Sequence, residues 1–532
     1  MGTQLLIGGR FYSSSSPDAT AMAVSDGTVV WLGAERPGRA LHPDAEVIDL
    51  DGAFVAPAFV EPHVHVTALG LQLTGLDLSA TRSVAELLDA VRAHASAHPD
   101  GVILGDGWEE TRWPEGRPPT PEEIDAAAGP GRRVYLARID AHSAVASTAL
   151  LDSVPGVTAA AGYRAGEPLR EQAHHLVRRA ALGALDRARR DDARRAALDH
   201  AAAHGVVAVH ECSGPDIAGR DDVRELLAFE HGVRVRAYWG EAVRTAEEAK
   251  ALLTDLGVHG LGGDLFVDGS FGSHTAWLRR PYADTPGTGT SFLDAAAIAE
   301  HVRACTEAGI QSGFHAIGDA ALDAVTTGLR RAADALGAPA VAALGHRVEH
   351  AEMLDAGQIA ELAALGVIAS VQPVFDAAWG GPDGMYASRL GAERAAALNP
   401  FAAMAAAGVS LAIGSDAPVT ALDPWAAIRA ATEHRTPGHG ISPRAAFAAA
   451  TRGAWRAGGV RDGVAGTLVP GAPASYAVWD AGELVVAAAS DSVQRWSTDP
   501  RSRVPGLPSL APDSALPRCL RTVRDGVTIF EA

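Results

Sequence analysis

The sequence predicts an α/β protein: a (β/α)8 TIM-like barrel with a small, discontinuous β-sandwich domain formed by both termini. Two observations support this fold class. In the middle of the chain, short apolar runs alternate with Ala-, Arg- and Glu-rich stretches of helical period, a pattern typical of parallel strands joined by helices. At the two ends, short β-type runs follow one another without helical stretches between them.

The terminal segments are expected to form one β domain from residues 1–56 and 463–532. Gly, Asp, Ser and Pro residues separate four N-terminal runs that predict a small antiparallel sheet, at 4–7, 21–24, 29–32 and 47–50. Runs of the same character return near the C-terminus, at 466–471, 474–479 and 519–530. A Ser-, Pro-, Asp- and Arg-rich surface loop is expected at 494–517.

Residues 57–462 are expected to form the barrel. Its eight candidate strands end near His65, 138–142, 210–211, Asp268, His315, His350, Gln372 and Asp416. Helical stretches lie between them, for example 180–204, 295–308 and 320–336. Polar residues at the C-terminal strand ends of a barrel are typical of an active site. The segment 70–130 is too long for one strand–helix unit, so we expect an insertion that forms a lid or a substrate wall. Trp108 in this insertion is expected either to be buried or to contact the substrate.

The pair His63 and His65 ends a long apolar run and is the strongest chemical signal. Side chains two residues apart on a strand project from one face, so a divalent ion can contact both imidazoles. Three later runs end at His315, His350 and Asp416. Imidazole nitrogens and carboxylate oxygens are zinc ligands, and a catalytic site keeps one position open for water. Together these residues predict a divalent metal site, with zinc the expected ion and one or two ions per chain.

Composition restricts the other classes of function. The 532-residue chain has a formal net charge of −19, which argues against nucleic acid or an anionic membrane as a partner. No signal peptide or bilayer-spanning stretch is visible, and the three cysteines are widely spaced, as in proteins of a reducing compartment. We expect a cytoplasmic enzyme with a small-molecule substrate, and a homodimer is left open.

Six further motifs resemble the amidohydrolase superfamily, and more narrowly its family 3 branch, which includes N-substituted formamide deformylases. They are Gly-Trp-Glu-Glu-Thr-Arg-Trp at 107–113, Arg-Ile-Asp-Ala-His at 138–142, Asp-Gly-Ser-Phe-Gly-Ser at 268–273, His-Ala-Ile-Gly-Asp at 315–319, His-Arg-Val-Glu-His-Ala-Glu at 346–352 and Gly-Ser-Asp-Ala-Pro at 414–418. The resemblance covers nearly the whole chain. It implies metal-dependent hydrolysis of a non-peptide carbon–nitrogen bond, in an amide, formamide or carbamate.

The expected mechanism gives each candidate a role. His63, His65, Asp416 and His315 bind the metal, and Asp416 is also the general base. His350, or alternatively His315, either binds a second metal or donates a hydrogen bond to the oxyanion.

Other strand-end residues allow more than one interpretation. Arg138 and His142 are expected to line the substrate pocket, although a structural pair of Arg138 with Asp140 and a surface His142 fit equally well. Asp268 is a further substrate-binding candidate or a turn residue. The pair at 210–211, His-Glu, is compatible with a metal ligand, an acid or a buried polar network.

One position departs from the resembling family. Close relatives carry a lysine four residues before Asp-Gly-Ser, which is carbamylated and bridges two metals, whereas this chain has Asp264. The only lysine, Lys250, lies in a predicted helix. Because Asp is much shorter than carbamylated lysine, bridging would require backbone movement or help from Glu211. We therefore expect one tightly held metal, with Asp264 among its candidate ligands, and no dependence on bicarbonate.

Two other functions fit the same residues. One is a mononuclear deaminase of a ring amidine, which would release ammonia instead of an amine. The other is a metal-stabilised binding or regulatory protein without turnover, in which all four positions of a structural zinc site are closed by the protein.

Overall fold

Parallel strand pairs organise the middle of the chain, as the alternating pattern predicts. The computed structural model describes residues 2–486 and 505–532 and is a mixed α/β molecule. Seven strands pair in two parallel groups, Arg234–Trp239, Val206–Ser213 and Phe59–Val64 in one, and Gly313–Ala316, Arg347–His350, Ile368–Val371 and Ser410–Ile413 in the other. Isolated parallel bridges join the groups: Val64 to Ala417, Tyr238 to Gly260, and Leu261 to Ser312. The pairings therefore connect into a continuous circuit.

The expected second strand of the barrel is wrong. Val134–Arg138 lies in a separate five-stranded sheet, called here the inserted sheet. Its strand order is Leu169–Arg170, Ser143–Ala146, Val134–Arg138, Ile103–Trp108, Leu76–Asp77. Both edges of Val134–Arg138 are occupied there, by a parallel and an antiparallel neighbour, so it cannot pair within the circuit. Arg234–Trp239 is instead a strand of the circuit. Only its last three residues are buried, which explains why its sequence lacks a clear apolar run. The separate sheet also extends well beyond the expected insertion at 70–130.

The two ends of the chain share a sheet. Its five strands are Arg10–Phe11, Phe54–Pro57, Tyr476–Asp480, Arg518–Arg524 and Val527–Glu531. A four-stranded sheet has the order Thr28–Gly33, Ala21–Ser25, Gln4–Ile7, Glu46–Asp49, and its last pair is parallel, so it is not the purely antiparallel sheet that was expected. Leu484–Val485 pairs with Leu507–Pro508. The expected loop at 494–517 lies outside the described residues up to 504, and the run at 466–471 is not a strand.

Helices cover the strands of the circuit and the inserted sheet. The α-helices are Glu35–Leu41, Val66–Thr74, Val84–Ala97, Pro121–Ala128, Thr148–Asp152, Glu171–Gly183, Arg187–Ala203, Arg220–Leu227, Ala246–Leu256, Ala295–Ala308, Asp319–Leu336, Ala338–Leu344, Ala356–Ala364, Pro373–Trp379, Met385–Leu390, Ala392–Ala395, Phe401–Ala407, Pro424–Thr432, Pro443–Ala448 and Ala454–Ala457. Short 3-10 turns occur at Glu110–Arg112 and Val157–Ala159, and a π-turn at Ala449–Gly453. Within the described residues, no helix has the length and apolar character needed to cross a membrane.

A cluster of buried aromatic rings joins the shared terminal sheet to the circuit. Phe59, at the start of the first circuit strand, lies 5.3 Å from Trp425 and 5.8 Å from Trp479 between ring centroids. Trp425 and Trp479 are themselves 5.7 Å apart and nearly perpendicular. Edge-to-face pairs of this kind add about 0.5–1.5 kcal/mol each beyond the area they bury. The strand that carries His63 is therefore firmly held at its N-terminal end.

The helix that follows His65 packs against its neighbour without a side chain between them. A Cβ built on Gly70, in Val66–Thr74, would lie 1.8 Å from the carbonyl oxygen of Ala193, in Arg187–Ala203. Only glycine permits this approach, which places the helix and the residue that precedes it.

We predict that Gly70→Ala lowers the melting temperature of the protein, because the two helices must separate at a cost of about 1–3 kcal/mol or more. Gly183→Ala is the matched control, since among the described residues no atom beyond its chain neighbours and its own helix backbone would lie within 4 Å of its Cβ. Calorimetry on both variants checks this expectation. Equal melting temperatures would show that the crossing is not tight.

Candidate metal centre and active site

The first and last strands of the circuit bring three predicted residues together. The Asp416 amide donates to the carbonyl of His63, and the His65 amide donates to the carbonyl of Ala417, at 3.0 and 2.9 Å. The Oδ1 atom of Asp416 consequently lies 3.4 Å from Nε2 of His63 and 3.2 Å from Nε2 of His65.

Asp264 contacts this group and a second pair of histidines. Its Oδ1 lies 3.5 Å from Nε2 of His63 and 3.4 Å from Nδ1 of His315, and its Oδ2 lies 3.2 Å from Nε2 of His65. The rings of His315 and His350 are 4.4 Å apart. Ligand atoms of His63, Asp264 and His350 all lie within 4.8 Å of one another. The six predicted metal residues therefore form one buried cluster.

The atoms that face the centre of this cluster lack hydrogen-bond partners. Among the described residues, the buried unpartnered atoms include His63 Nε2, His315 Nδ1, His350 Nε2, Asp264 Oδ1 and Asp416 Oδ1. Leaving one buried polar group unpaired costs about 1–3 kcal/mol, and more for a charged group. Five such atoms at one point form a donor set suited to a cation.

Hydrogen bonds on the outer side of three rings orient their lone pairs inward. Nδ1 of His63 contacts Glu349 at 2.9 Å, Nδ1 of His350 contacts the Gln372 side-chain oxygen at 2.9 Å, and Nε2 of His315 contacts the Gly269 carbonyl at 3.3 Å. Each outer partner is an acceptor, so the outer nitrogen carries the proton. The inner nitrogen then has a free lone pair, as in a metal-binding histidine.

The carboxylate behind His63 is kept ionised by an arginine. Burial alone would raise the pKa of Glu349, but Arg347 donates to both of its oxygens, at 2.8 and 2.9 Å, and holds that pKa below its usual value. An ionised Glu349 fixes the His63 tautomer and increases the basicity of its inner nitrogen.

Two of the cluster residues have strained backbones. His350 has φ +69° and Asp416 has φ +56°, in the left-handed region that non-glycine residues rarely adopt. Such conformations cost of order 1–3 kcal/mol and persist only where the surroundings enforce them. The strained backbone of both residues therefore accompanies side chains that face the cluster.

The cluster fits a divalent metal. Burial opposes protonation of His65, yet the carboxylates of Asp264 and Asp416 raise its pKa to about 9, so the two acids create a strong preference for a positive charge. Neutral imidazoles with buried carboxylates are the donor set of zinc and related ions.

Three expected substrate contacts point elsewhere. Both oxygens of Asp268 accept from backbone amides, those of Ile317, Gly318 and Trp277, at 2.8–3.0 Å, so this carboxylate fixes a turn. Trp108 is fully buried and donates to the Leu136 carbonyl inside the inserted sheet. Arg138 bonds Glu110 at 2.8 Å and Asp140 at 2.9 Å. The structural alternatives for Asp268 and Arg138 therefore describe what these side chains do.

His142 does lie at the cluster. Its ring is 5.0 Å from that of His315 and is partly exposed. Asp140 positions it, because one carboxylate oxygen accepts from the His142 amide while the carboxylate also receives the hydroxyls of Ser270 and Ser273, at 2.7–3.0 Å. The inserted sheet is thus tied to the loop that follows Asp268.

The ambiguous pair at 210–211 belongs to the supporting structure. Glu211 accepts from the Val66 amide at 2.7 Å and from the Ser213 hydroxyl at 2.8 Å, so it holds the start of the helix after His65. His210 contacts Arg347 at 3.2 Å. Sequence reasoning missed the supporting roles of Glu349 and Gln372, although the first lies in the run that ends at His350 and the second ends a predicted strand.

Comparison with known proteins agrees with this geometry. A sequence profile of the amidohydrolase family matches residues 46–530. The chain belongs to the amidohydrolase family. The match implies an α/β, TIM-barrel-like fold and an enzyme that hydrolyses carbon–nitrogen bonds other than peptide bonds, with a divalent metal and a small-molecule substrate.

Several relatives are similar over most of their length. The chain is 27% identical to the putative amidohydrolase YtcJ of Bacillus subtilis, over 77% of this chain and 79% of that protein. It is 25% identical to the N-substituted formamide deformylase of Arthrobacter pascens, over 77% and 80%. A solved metal-dependent hydrolase of Pyrococcus furiosus, with no characterised activity, is 26% identical with a TM-score of 0.68, over 90% of this chain and 98% of that one.

We predict that His63→Ala abolishes tight metal binding, whereas Gln372→Met weakens it roughly 10–100-fold, because loss of a supporting hydrogen bond costs less than loss of a ligand. His98→Ala, at an exposed helix end, is the control. Zinc titration with circular dichroism on each variant measures affinity and fold. A folded His63→Ala variant with unchanged zinc affinity would contradict the proposed ligand set.

Proposed function

We propose that the chain hydrolyses a small amide, formamide or carbamate, with zinc as the metal and with Asp416 as the residue that moves the proton. The observation that carries this proposal is the convergence of three inward imidazole lone pairs and two carboxylates on one buried point. The relative that is named as an N-substituted formamide deformylase supports the choice of bond.

The metal would be held by the six residues of the cluster, His63, His65, Asp264, His315, His350 and Asp416. When bound, a divalent ion lowers the pKa of water and polarises the carbonyl to be attacked. The protein contributes ligand geometry, which the outer hydrogen bonds to Glu349, Gln372 and Gly269 fix in advance.

Asp416 is the proton carrier in this proposal. Its Oδ1 has no hydrogen-bond donor among the described residues and its backbone is strained toward the cluster. The carboxylate accepts the proton of the attacking water and then delivers it to the nitrogen of the leaving amine.

His350 is better suited to bind metal than to donate to an oxyanion. Its outer nitrogen holds the proton in the hydrogen bond to Gln372, so the neutral ring has no inward N–H. His142, beside His315 and partly exposed, is the better candidate for contact with the substrate carbonyl.

An aromatic wall leads from the cluster to solvent and suggests a flat, apolar substituent on the substrate. Phe266 lies 5.0 Å from the His315 ring and 5.5 Å from His142, and the partly exposed Phe292 lies 6.3 Å from Phe266. His175 stacks on Phe266 at 6.1 Å. Such surfaces favour aromatic or alkyl groups over charged ones.

Two architectural proposals accompany this function. The continuous circuit of parallel pairs supports a (β/α)8 barrel over residues 57–462, and the sheet shared by both termini supports a β-sandwich of 1–56 and 463–532. The alternative of a structural metal site is disfavoured, because six converging groups exceed the four that such a site uses.

We expect a panel of N-aryl and N-alkyl formamides, amides and carbamates to release amines, with flat apolar substituents preferred. Ring amidines such as nucleobases, assayed for ammonia release, should not react. Turnover of only the amidines would replace the proposal with the deaminase alternative.

We also predict that Asp416→Asn keeps its metal but loses at least about 10²-fold in kcat, because an amide cannot accept the proton. Asp383→Asn, on an exposed carboxylate, should be unchanged. Elemental analysis and steady-state kinetics on both variants decide the matter. Wild-type kcat in Asp416→Asn would assign proton transfer to another group.

A further inference from the structure

Asp264 reaches the centre of the cluster because the segment 260–266 bulges toward it. The strand expected to end near Asp268 is reduced in this segment to isolated bridges. The isolated bridges join Leu261 to Ser312 and Phe266 to His315. Five residue steps along the first segment therefore lie opposite three residue steps along the second. The Leu261 carbonyl accepts from Gly313 and the Leu265 carbonyl accepts from His315, at 3.1 and 3.0 Å. The two additional residues lie between these bonds and displace the segment that carries Asp264.

Glycines make room for this bulge. Gly263 adopts φ +68°, which favours glycine, and a Cβ on Gly262 would lie 2.3 Å from the Gly313 nitrogen. A Cβ on Gly240 would lie 2.3 Å from the carbonyl oxygen of Asp264 itself. The Asp264 backbone therefore lies closer to the adjacent segments than side chains at these glycine positions would allow.

The short side chain then meets both halves of the cluster. Oδ1 of Asp264 contacts His63 and His315, at 3.5 and 3.4 Å, while Oδ2 contacts His65 at 3.2 Å. One carboxylate thus stands between the histidine pair of the first strand and that of the later strands. The expectation that Asp264 is too short to bridge took no account of the bulge.

The other candidates for a bridge are occupied or distant. Glu211 is engaged by the Val66 amide and the Ser213 hydroxyl. Lys250, the only lysine of the sequence, is exposed on the helix Ala246–Leu256.

We propose that Asp264 is a direct carboxylate bridge between two metal positions, one at His63, His65 and Asp416 and the other at His315 and His350. This inference rests on the proposed metal-dependent function and replaces the one-metal expectation. Because the bridge is an unmodified side chain, the site assembles without carbon dioxide. The inward bulge substitutes for the length of the lysine that the sequence lacks.

The test is metal loading of the apoprotein with manganese, in buffer freed of carbon dioxide and in bicarbonate, followed by elemental analysis and electron paramagnetic resonance. We expect two ions per chain in both buffers, with the halved hyperfine spacing of a spin-coupled pair. Asp264→Asn should lose the coupling and at least one ion, and Asp264→Lys should not regain them with bicarbonate. Glu211→Gln, the control for the rival carboxylate, should keep both ions coupled.

One uncoupled ion in the wild type, a requirement for bicarbonate, or coupling that Glu211→Gln abolishes would each overturn the bridge. These outcomes would leave metal-dependent hydrolysis intact. Full activity of metal-free protein would instead overturn the proposed function. If Asp264→Asn does not fold, the wild-type ion count and coupling in the two buffers, together with Glu211→Gln, still decide the question.

Discussion

The structure depends on one electrostatic constraint: buried carboxylates and imidazoles converge at one point, and five of their inward-facing atoms have no hydrogen-bond partner among the described residues. Asp264 and Asp416 are each about 6% exposed, and the four histidines of the cluster are also buried, with exposed fractions of 0–7%. Two uncompensated carboxylates in such a place would cost several kcal/mol each. A bound cation offsets this cost, so folding of the strand ends and metal binding are expected to stabilise each other.

The layers around the cluster serve this constraint. Arg347 and Glu349 lie behind His63, and Gln372 lies behind His350, so the outer nitrogen of each ring holds a proton in a hydrogen bond. Glu211 holds the helix that begins after His65. The inserted sheet contributes from the opposite side, where Asp140 ties His142 to the loop after Asp268. Most cluster residues lie at strand ends, whereas His142 lies in a loop of the inserted segment.

The residues that the structure brings together at the cluster could be chosen from the sequence because their signal is local. A ligand at the end of a strand is recognisable from the apolar run before it, and parallel strands bring such ends together whatever the order of pairing. The order itself was not predictable: Val134–Arg138 and Arg234–Trp239 both have β-type sequence, and only contacts distant in the chain decide which joins the circuit.

The supporting residues were hidden for a different reason. The roles of Trp108 and Asp268 follow from hydrogen bonds to backbone groups that no spacing reveals. The bulge at Asp264 likewise depends on how closely Gly262 approaches the neighbouring strand. The sequence shows that a carboxylate occupies position 264, whereas only the structure shows how close that carboxylate comes to the histidines.

A crystal structure of the zinc-loaded protein, with anomalous scattering measured at the zinc edge, tests the central claim most directly. The account predicts two anomalous peaks inside the cluster, one beside His63, His65 and Asp416 and one beside His315 and His350, with the Asp264 carboxylate between them. A single peak beside His63, Cys212 and Glu349, a group that could also hold an ion, or no peak among these residues would contradict it.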